Sequence, residues 1–220
     1  MDTIKVLLAE DHTIVRKGLR SLLDSEAGIK VVGEAEDGRE AIKKVEKLQP
    51  DVVLMDISMP GLNGLEATRQ LKKRFPEIKF IILTVHDHEE YVLQTLRAGA
   101  SGYLVKKAAP AELISAIRAV YSGESFLSPS ISRTVIDEYV RRSEQPSEKD
   151  EIYEKLTNRE REVLQLITEG HKNRKIADLL HVSLKTVETH KANIMNKLNV
   201  SGTAELIRYA MDKGLIIKDI

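Results

Sequence analysis

The chain has 220 residues, 42% of them hydrophobic, and balances 34 Lys and Arg against 34 Asp and Glu, so it has apolar material for one large core or two small ones and is no disordered polymer. It contains no cysteine, which excludes disulfides, thiolate nucleophiles and cysteine-ligated zinc, and its six histidines show no tight ligand spacing beyond HDH at 86 to 88, read as a solvated loop. No apolar run approaches the roughly 18 to 20 residues of a membrane span, and the start MDTIKVLLAED lacks a signal-peptide pattern, so a cytoplasmic protein without membrane contact is expected.

Taken in order, IKVLLA, IKVVGEA, DVVLMD, KFIILT and GYLVK read as strands, with helices predicted near 12–25, 38–48, 64–74, 88–98 and 110–122. Five strands alternating with five helices across short loops imply right-handed crossovers and a doubly wound parallel sheet, flavodoxin-like in order 2-1-3-4-5. After Gly123, SPSISRTVIDEYVRR predicts one more helix, and the charged, Pro146-containing SEQPSEKDEIYE predicts a linker. From Lys155 no strand pattern survives. LTNREREVLQLITEG opens with Thr157 and Glu160 as a capping box and closes at Gly170. NRKIADLL and LKTVETHKANIMNKL, parted by a short turn with Ser183 as cap, predict a helix-turn-helix, and SGTAELIRYAMDKG a closing helix. The expected domains are therefore 1–122, a linker over 123–154, and an all-α, four-helix 155–220.

The stretch VVLMDISMPGLNG puts Asp56 at the carboxyl end of a buried strand, just before the breakers Pro60, Gly61, Asn63 and Gly64. Strand one ends in LLAEDH, bringing Glu10 and Asp11 to the same edge, where open parallel sheets bind ligands. Three carboxylates there repel one another unless a cation is present, and an oxygen donor set suits Mg²⁺, with Asp11 and Asp56 direct and Glu10 through water. Strands four and five end at Thr84 and Lys106, adding a hydroxyl and an ammonium, the groups that phosphoryl transfer to an aspartate needs. Singly, each has a commonplace alternative: a helix cap for Asp11, a turn residue for Asp56, a strand residue for Thr84, a solvated charge for Lys106. Together, at four strand ends, they point to one site.

The order EDH, DISMPGLNG, ILT and GASGYLVKK resembles the receiver domain of two-component response regulators over residues 1 to about 122. That resemblance implies that Asp56 accepts phosphate from a sensor histidine kinase. It also implies that Glu10, Asp11, Asp56 and the backbone carbonyl of Ser58 surround Mg²⁺, that Lys106 pairs with the phosphoryl group, and that Thr84 and Tyr103 form a switch pair. Many receivers carry proline where this chain has Lys107, which leaves the preceding peptide free to be trans.

Formal charge is unevenly spread: residues 1–154 hold 22 basic against 26 acidic side chains, and 155–220 hold 12 against 8. The excess lies in 172–197, with Lys172, Arg174, Lys175, Lys185, Lys191 and Lys197 against Asp178 and Glu188, which suggests a polyanion partner. Val187, Ile194 and Leu198 form a core stripe, leaving Lys185, Glu188, Thr189 and Ala192, flanked by Thr186, His190 and Lys191, on the opposite face. From Leu156 to about Met211 the sequence resembles the LuxR-type output domain of the NarL/FixJ class, which implies that this helix enters the major groove of a double-stranded operator. Ala204, Ile207 and Met211 on the last helix offer an apolar stripe for joining two copies, so a homodimer on activation and an inverted-repeat operator are expected.

The chain is thus expected to be a DNA-binding response regulator in which phosphorylation controls dimerisation and transcription. It is read as a phosphoacceptor with at most weak autophosphorylation from small donors and autodephosphorylation. Aspartyl phosphatases of the haloacid dehalogenase type compete, but they need an acid where Ser58 stands, and they leave residues 155–220 unexplained. A metal-regulated repressor would keep the DNA contact and drop Lys106 and Thr84 from the mechanism.

Overall fold

The structure, a computed structural model, describes residues 3–85, 89–129, 131–133, 135 and 155–212. Two compact units divide the chain, Met1–Val140 and Arg141–Ile220. The first alternates β1 (Ile4–Ala9), α1 (Thr13–Asp24), β2 (Ile29–Ala35), α2 (Gly38–Leu48), β3 (Val52–Asp56), α3 (Gly64–Arg74), β4 (Lys79–Thr84), α4 (Glu89–Arg97), β5 (Gly102–Val105) and α5 (Pro110–Tyr121), and every one of these begins and ends within a residue of its predicted bounds. Side-chain caps fix some starts: Asp37 accepts from the Glu40 N–H at α2, Asn63 from the Glu66 N–H at α3, and Pro110 stands in the first turn of α5.

The strands pair in parallel in the order β2-β1-β3-β4-β5. Side chains alternate across the sheet, so Ile4, Val6 and Leu8 of β1, Val52 and Leu54 of β3, Ile81 and Leu83 of β4 and Leu104 of β5 share one core with Leu23 of α1 and Leu113, Ile117 and Val120 of α5. The other face is covered by α2 and α3, with α4 packed beside α3, and Ala41, Val45 and Leu71 are buried. One strand escaped the sequence: β6 (Phe126–Leu127) pairs parallel with β5 and gives a six-stranded sheet, β2-β1-β3-β4-β5-β6. Two residues are too few for a period to show. The order 2-1-3-4-5 would leave β5, and with it Tyr103, at the sheet edge, whereas β5 is paired on both sides.

The helix predicted over 128–142 falls mostly outside the described residues, although 129, 131–133 and 135 are helical. The linker over 143–154 and the HDH loop lie outside them too.

In the second unit, α6 (Asn158–Thr168), α7 (Asn173–Leu180), α8 (Leu184–Leu198) and α9 (Thr203–Asp212) enclose a core of Leu156, Val163, Leu164, Leu166, Ile167, Ile176, Ala177, Leu180, Val187, Ile194, Leu198, Leu206 and Ala210. The Thr157–Glu160 capping box forms on α6, and Ser183 caps α8 by accepting from the Thr186 N–H. On α9 the buried positions are Leu206 and Ala210, while Ala204 is exposed and Ile207 packs half-buried against the core. The Met211 side chain lies outside the described residues.

Candidate functional site

The carboxyl ends of β1, β3, β4 and β5 meet at one crevice. Glu10 and Asp11 follow β1, Asp56 is the last residue of β3, Thr84 ends β4, and Lys106 follows β5 with its N–H donating to the Thr84 carbonyl at 2.6 Å. The Lys106 ammonium stands 3.0 Å from Asp56 Oδ2 and 2.9 Å from Glu10 Oε2, bridging two carboxylates that are each about 2% exposed. Burial pushes the Asp56 carboxyl up to about 6, with Glu10 adding to the rise, while Lys106 and the Ser58 backbone N–H oppose it. Burial works to lower Lys106, yet Asp56 and Glu10 outweigh it and hold the ammonium above its ordinary value. The pocket is therefore short of positive charge.

Glu10 Oε2, Asp11 Oδ1 and both Asp56 carboxylate oxygens are buried, and the donors that face these three carboxylates include the Lys106 ammonium, the Ser58 N–H and the His12 ring. One donor atom from each of Glu10, Asp11, His12 and Asp56 lies within 4.8 Å of all the others. Three carboxylates against one ammonium leave a formal deficit of two charges. One divalent cation offsets it, and hard oxygen donors suit Mg²⁺. Ser58 is two residues beyond Asp56, in the loop before α3. Peptide bonds are trans throughout the described residues, Lys106–Lys107 included.

Thr84 and Tyr103 are both fully buried, and strand alternation puts them on the sheet face opposite Leu83 and Leu104, with Tyr103 beside Ile82. Three residues that sequence reading did not single out complete the site. His12 is the N-cap of α1 and makes no side-chain cap bond; its Nδ1 is 2.8 Å from Asp11 Oδ1 and 3.1 Å from Glu10 Oε1, and Asp11 raises its pKa against the lowering by burial. Arg16, buried on α1, donates to the Glu10 carbonyl at 2.6 Å and the Asp11 carbonyl at 3.4 Å, while Glu34 and Glu36 hold the rest of its guanidinium. Gly64 leads into α3 so close to β3 that a Cβ would stand 1.9 Å from the Asp56 carbonyl oxygen. The helical period of α1 flags Arg16 only as a cation on a buried face, and Gly64 reads as one breaker among several.

In the second unit, Lys185, Glu188, Thr189 and Ala192 are exposed along α8, and Thr186, His190 and Lys191 flank them half-buried. Thr189 Oγ1 donates to the Lys185 carbonyl at 2.9 Å, and Thr186 Oγ1 lies 2.7 Å from Ser183 Oγ at the cap. Lys197, counted from sequence among the excess cations, is committed inside the unit: its ammonium binds buried Glu160 at 2.7 Å and the Lys155 carbonyl at 3.2 Å. No helix among the described residues is long and apolar enough to cross a membrane.

Residues 6–118 match the response regulator receiver domain family, and residues 154–210 match the bacterial regulatory proteins of the luxR family. The chain is 43% identical to the oxygen regulatory protein NreC of Staphylococcus carnosus, over 97% of this chain and 99% of the relative. It is 41% identical to the transcriptional regulatory protein DegU of Brevibacillus brevis, over 97% and 95%. Among solved structures it resembles RcsB from Salmonella enterica serovar Typhimurium, bound to a promoter in the presence of a phosphomimetic, with TM-score 0.60 and 31% identity over 94% of this chain and 98% of that one.

Proposed function

Since the chain belongs to the two-component response regulators of the NarL/FixJ class, a receiver domain followed by a LuxR-type DNA-binding domain, we propose that Asp56 is its phosphoacceptor and α8 its operator-reading helix. The observation that carries the first part is the pair of buried carboxylates, Asp56 and Glu10, that share one ammonium, Lys106, beside a third carboxylate, Asp11. An Asp56 oxygen attacks the phosphorus of a phosphohistidine on the partner kinase. The new O–P bond forms as the N–P bond breaks, and the imidazole leaves with the electron pair of that bond. Glu10, Asp11, Asp56 and the Ser58 carbonyl would hold Mg²⁺, which supplies charge neutralisation for the transferring oxygens. Lys106 turns from Glu10 to a phosphoryl oxygen, and the Thr84 hydroxyl donates to another. The Thr84 movement and the Tyr103 packing beside it form the switch. The protein works in the cytoplasm as a phosphate carrier, with no turnover of its own beyond slow exchange with small donors and water.

For the second part, Lys185, Thr186, Glu188, Thr189, His190, Lys191 and Ala192 form the face that meets base edges and phosphates in the major groove. A dimer formed on activation reads an inverted repeat, as a two-fold protein does. The unit's modest charge excess makes one copy a weak binder.

The test is incubation with acetyl phosphate and Mg²⁺ followed by intact-mass measurement. One phosphate is expected on the wild type, none on Asp56→Asn, and none in EDTA. Labelling that persists in the Asn variant refutes the acceptor. Operator selection from random DNA, with and without the phosphodonor, tests the helix and its inverted repeat.

A further inference from the structure

The pocket carries one donor that its carboxylates do not account for. His12 Nδ1 lies 2.8 Å from Asp11 Oδ1 and 3.1 Å from Glu10 Oε1, and falls with one oxygen each from Glu10, Asp11 and Asp56 inside a 4.8 Å spread. Around an octahedral ion with bonds of about 2.1 Å, adjacent donors stand roughly 3 Å apart and opposite ones roughly 4 Å. The 4.8 Å spread of the four atoms exceeds this by less than about 1 Å, so a small inward shift of the side chains gives them the spacing of ligands to one ion. Independently, Glu10 and Asp56, both about 2% exposed, are buried carboxylates that share a single ammonium, that of Lys106, and so lack a second compensating positive charge. The Arg16 guanidinium does not fill that need, because it is spent on the backbone carbonyls of Glu10 and Asp11 and on Glu34 and Glu36.

We propose that His12 is a fourth protein ligand of the pocket, through Nδ1, and that it tilts the site's preference toward first-row divalent ions that favour imidazole. The inference rests on reading the pocket as a divalent-cation site. Mg²⁺, a hard ion held by oxygen, gains little from the nitrogen, whereas Co²⁺ and Ni²⁺ gain a ligand they prefer. On binding, Nδ1 must carry a lone pair in place of a proton, so its present contacts to Asp11 and Glu10 give way to a shared ion. The substitution that tests this is structurally mild: the imidazole is half-exposed and makes no cap bond to α1.

Co²⁺ and Mg²⁺ are titrated separately into the full chain and into His12→Ala and Asp56→Asn, following Co²⁺ through its visible absorption and Mg²⁺ by calorimetry. Signal that survives in Asp56→Asn is subtracted as binding elsewhere on the chain. The expected result is a loss of at least about tenfold in Co²⁺ affinity in His12→Ala, with a shifted Co²⁺ spectrum, while Mg²⁺ affinity changes by less than about threefold. Equal losses for both ions, or none for either, overturn the role of His12. If Mg²⁺ binds the wild type and Asp56→Asn alike, the pocket reading itself falls, and this inference falls with it.

Discussion

Replacing Asp56 by Asn should stabilise the metal-free receiver unit, and by an amount that depends on pH in a stated direction. The folded protein raises the Asp56 pKa from 3.8 to about 6, chiefly through burial. A carboxyl whose folded pKa exceeds its unfolded one holds its proton more tightly when folded. Its ionisation therefore costs nothing below about pH 3.8, costs progressively more between that and pH 6, and reaches its full cost above. At roughly 1.4 kcal/mol per unit the full cost is about 3 kcal/mol. With the side chain 2% exposed, solvent screening takes little from it. Asn stands in for the neutral acid, so in EDTA at pH 7.5 the variant should unfold on the order of 10 °C higher than the wild type, a gap that closes toward pH 4. Calorimetry of the full chain measures it, the receiver transition being the one that Mg²⁺ moves in the wild type. Equal stability at pH 7.5 in EDTA, or a gap that stays constant to pH 4, would refute the argument that burial and Glu10 charge this pocket at the fold's expense.

Arg16→Gln removes the anchor on the Glu10 and Asp11 carbonyls and leaves Glu34 and Glu36 short of a partner; a loss of roughly 2 to 4 kcal/mol is expected in thermal unfolding, and Mg²⁺ should restore less of it than in the wild type. Gly64→Ala brings a methyl to 1.9 Å from the Asp56 carbonyl, so β3 and α3 must part; a cost of at least about 2 kcal/mol and slower labelling by acetyl phosphate are expected, and an unchanged labelling rate would show that the loop yields without moving Asp56. In the second unit, Lys191→Ala should flatten the salt dependence of DNA binding by about one unit of slope for every sequence, whereas Lys197→Ala, already paired with Glu160, should lower thermal stability by about 1 kcal/mol and leave the slope nearly unaltered. A slope that falls in Lys197→Ala would place that ammonium at the DNA.

The alternating layers were legible because each buried strand is a short apolar run closed by turn residues, and each helix carries a stripe at helical spacing. Asp56, Glu10, Asp11, Thr84 and Lys106 were legible for the same reason: they stand at strand ends, and topology brings strand ends together. What sequence could not show depends on contacts between distant segments. Arg16 looks like any helix cation until Glu34 and Glu36, at the far end of a neighbouring strand, close around it. Lys197 counts toward a basic helix until buried Glu160 claims it. β6 has no period of its own, and it exists as a strand only because β5 offers an unpaired edge.

That added strand lies on the route by which the proposed phosphorylation of Asp56 would be felt outside the pocket. Four residues in and just after β5 hold Tyr103, proposed as half of the switch pair, and Lys106 at the acidic pocket, with the Lys106 N–H bound to the Thr84 carbonyl. On the other side of β5, the Tyr103 carbonyl accepts from the Ser128 N–H at 3.0 Å, and the Ser128 hydroxyl donates to Glu112 of α5 at 2.6 Å. Ser128 is 4% exposed and sits where the sheet ends and the chain continues toward the second unit. A displacement of β5 large enough to turn Tyr103 must therefore stretch the Ser128 bond or carry the start of that segment with it. Packed elements change between discrete arrangements more readily than they deform. If Thr84 and Tyr103 are the switch pair as proposed, the segment Phe126–Ser128 is coupled to the pocket through the backbone of β5, with no side chain required to span the distance.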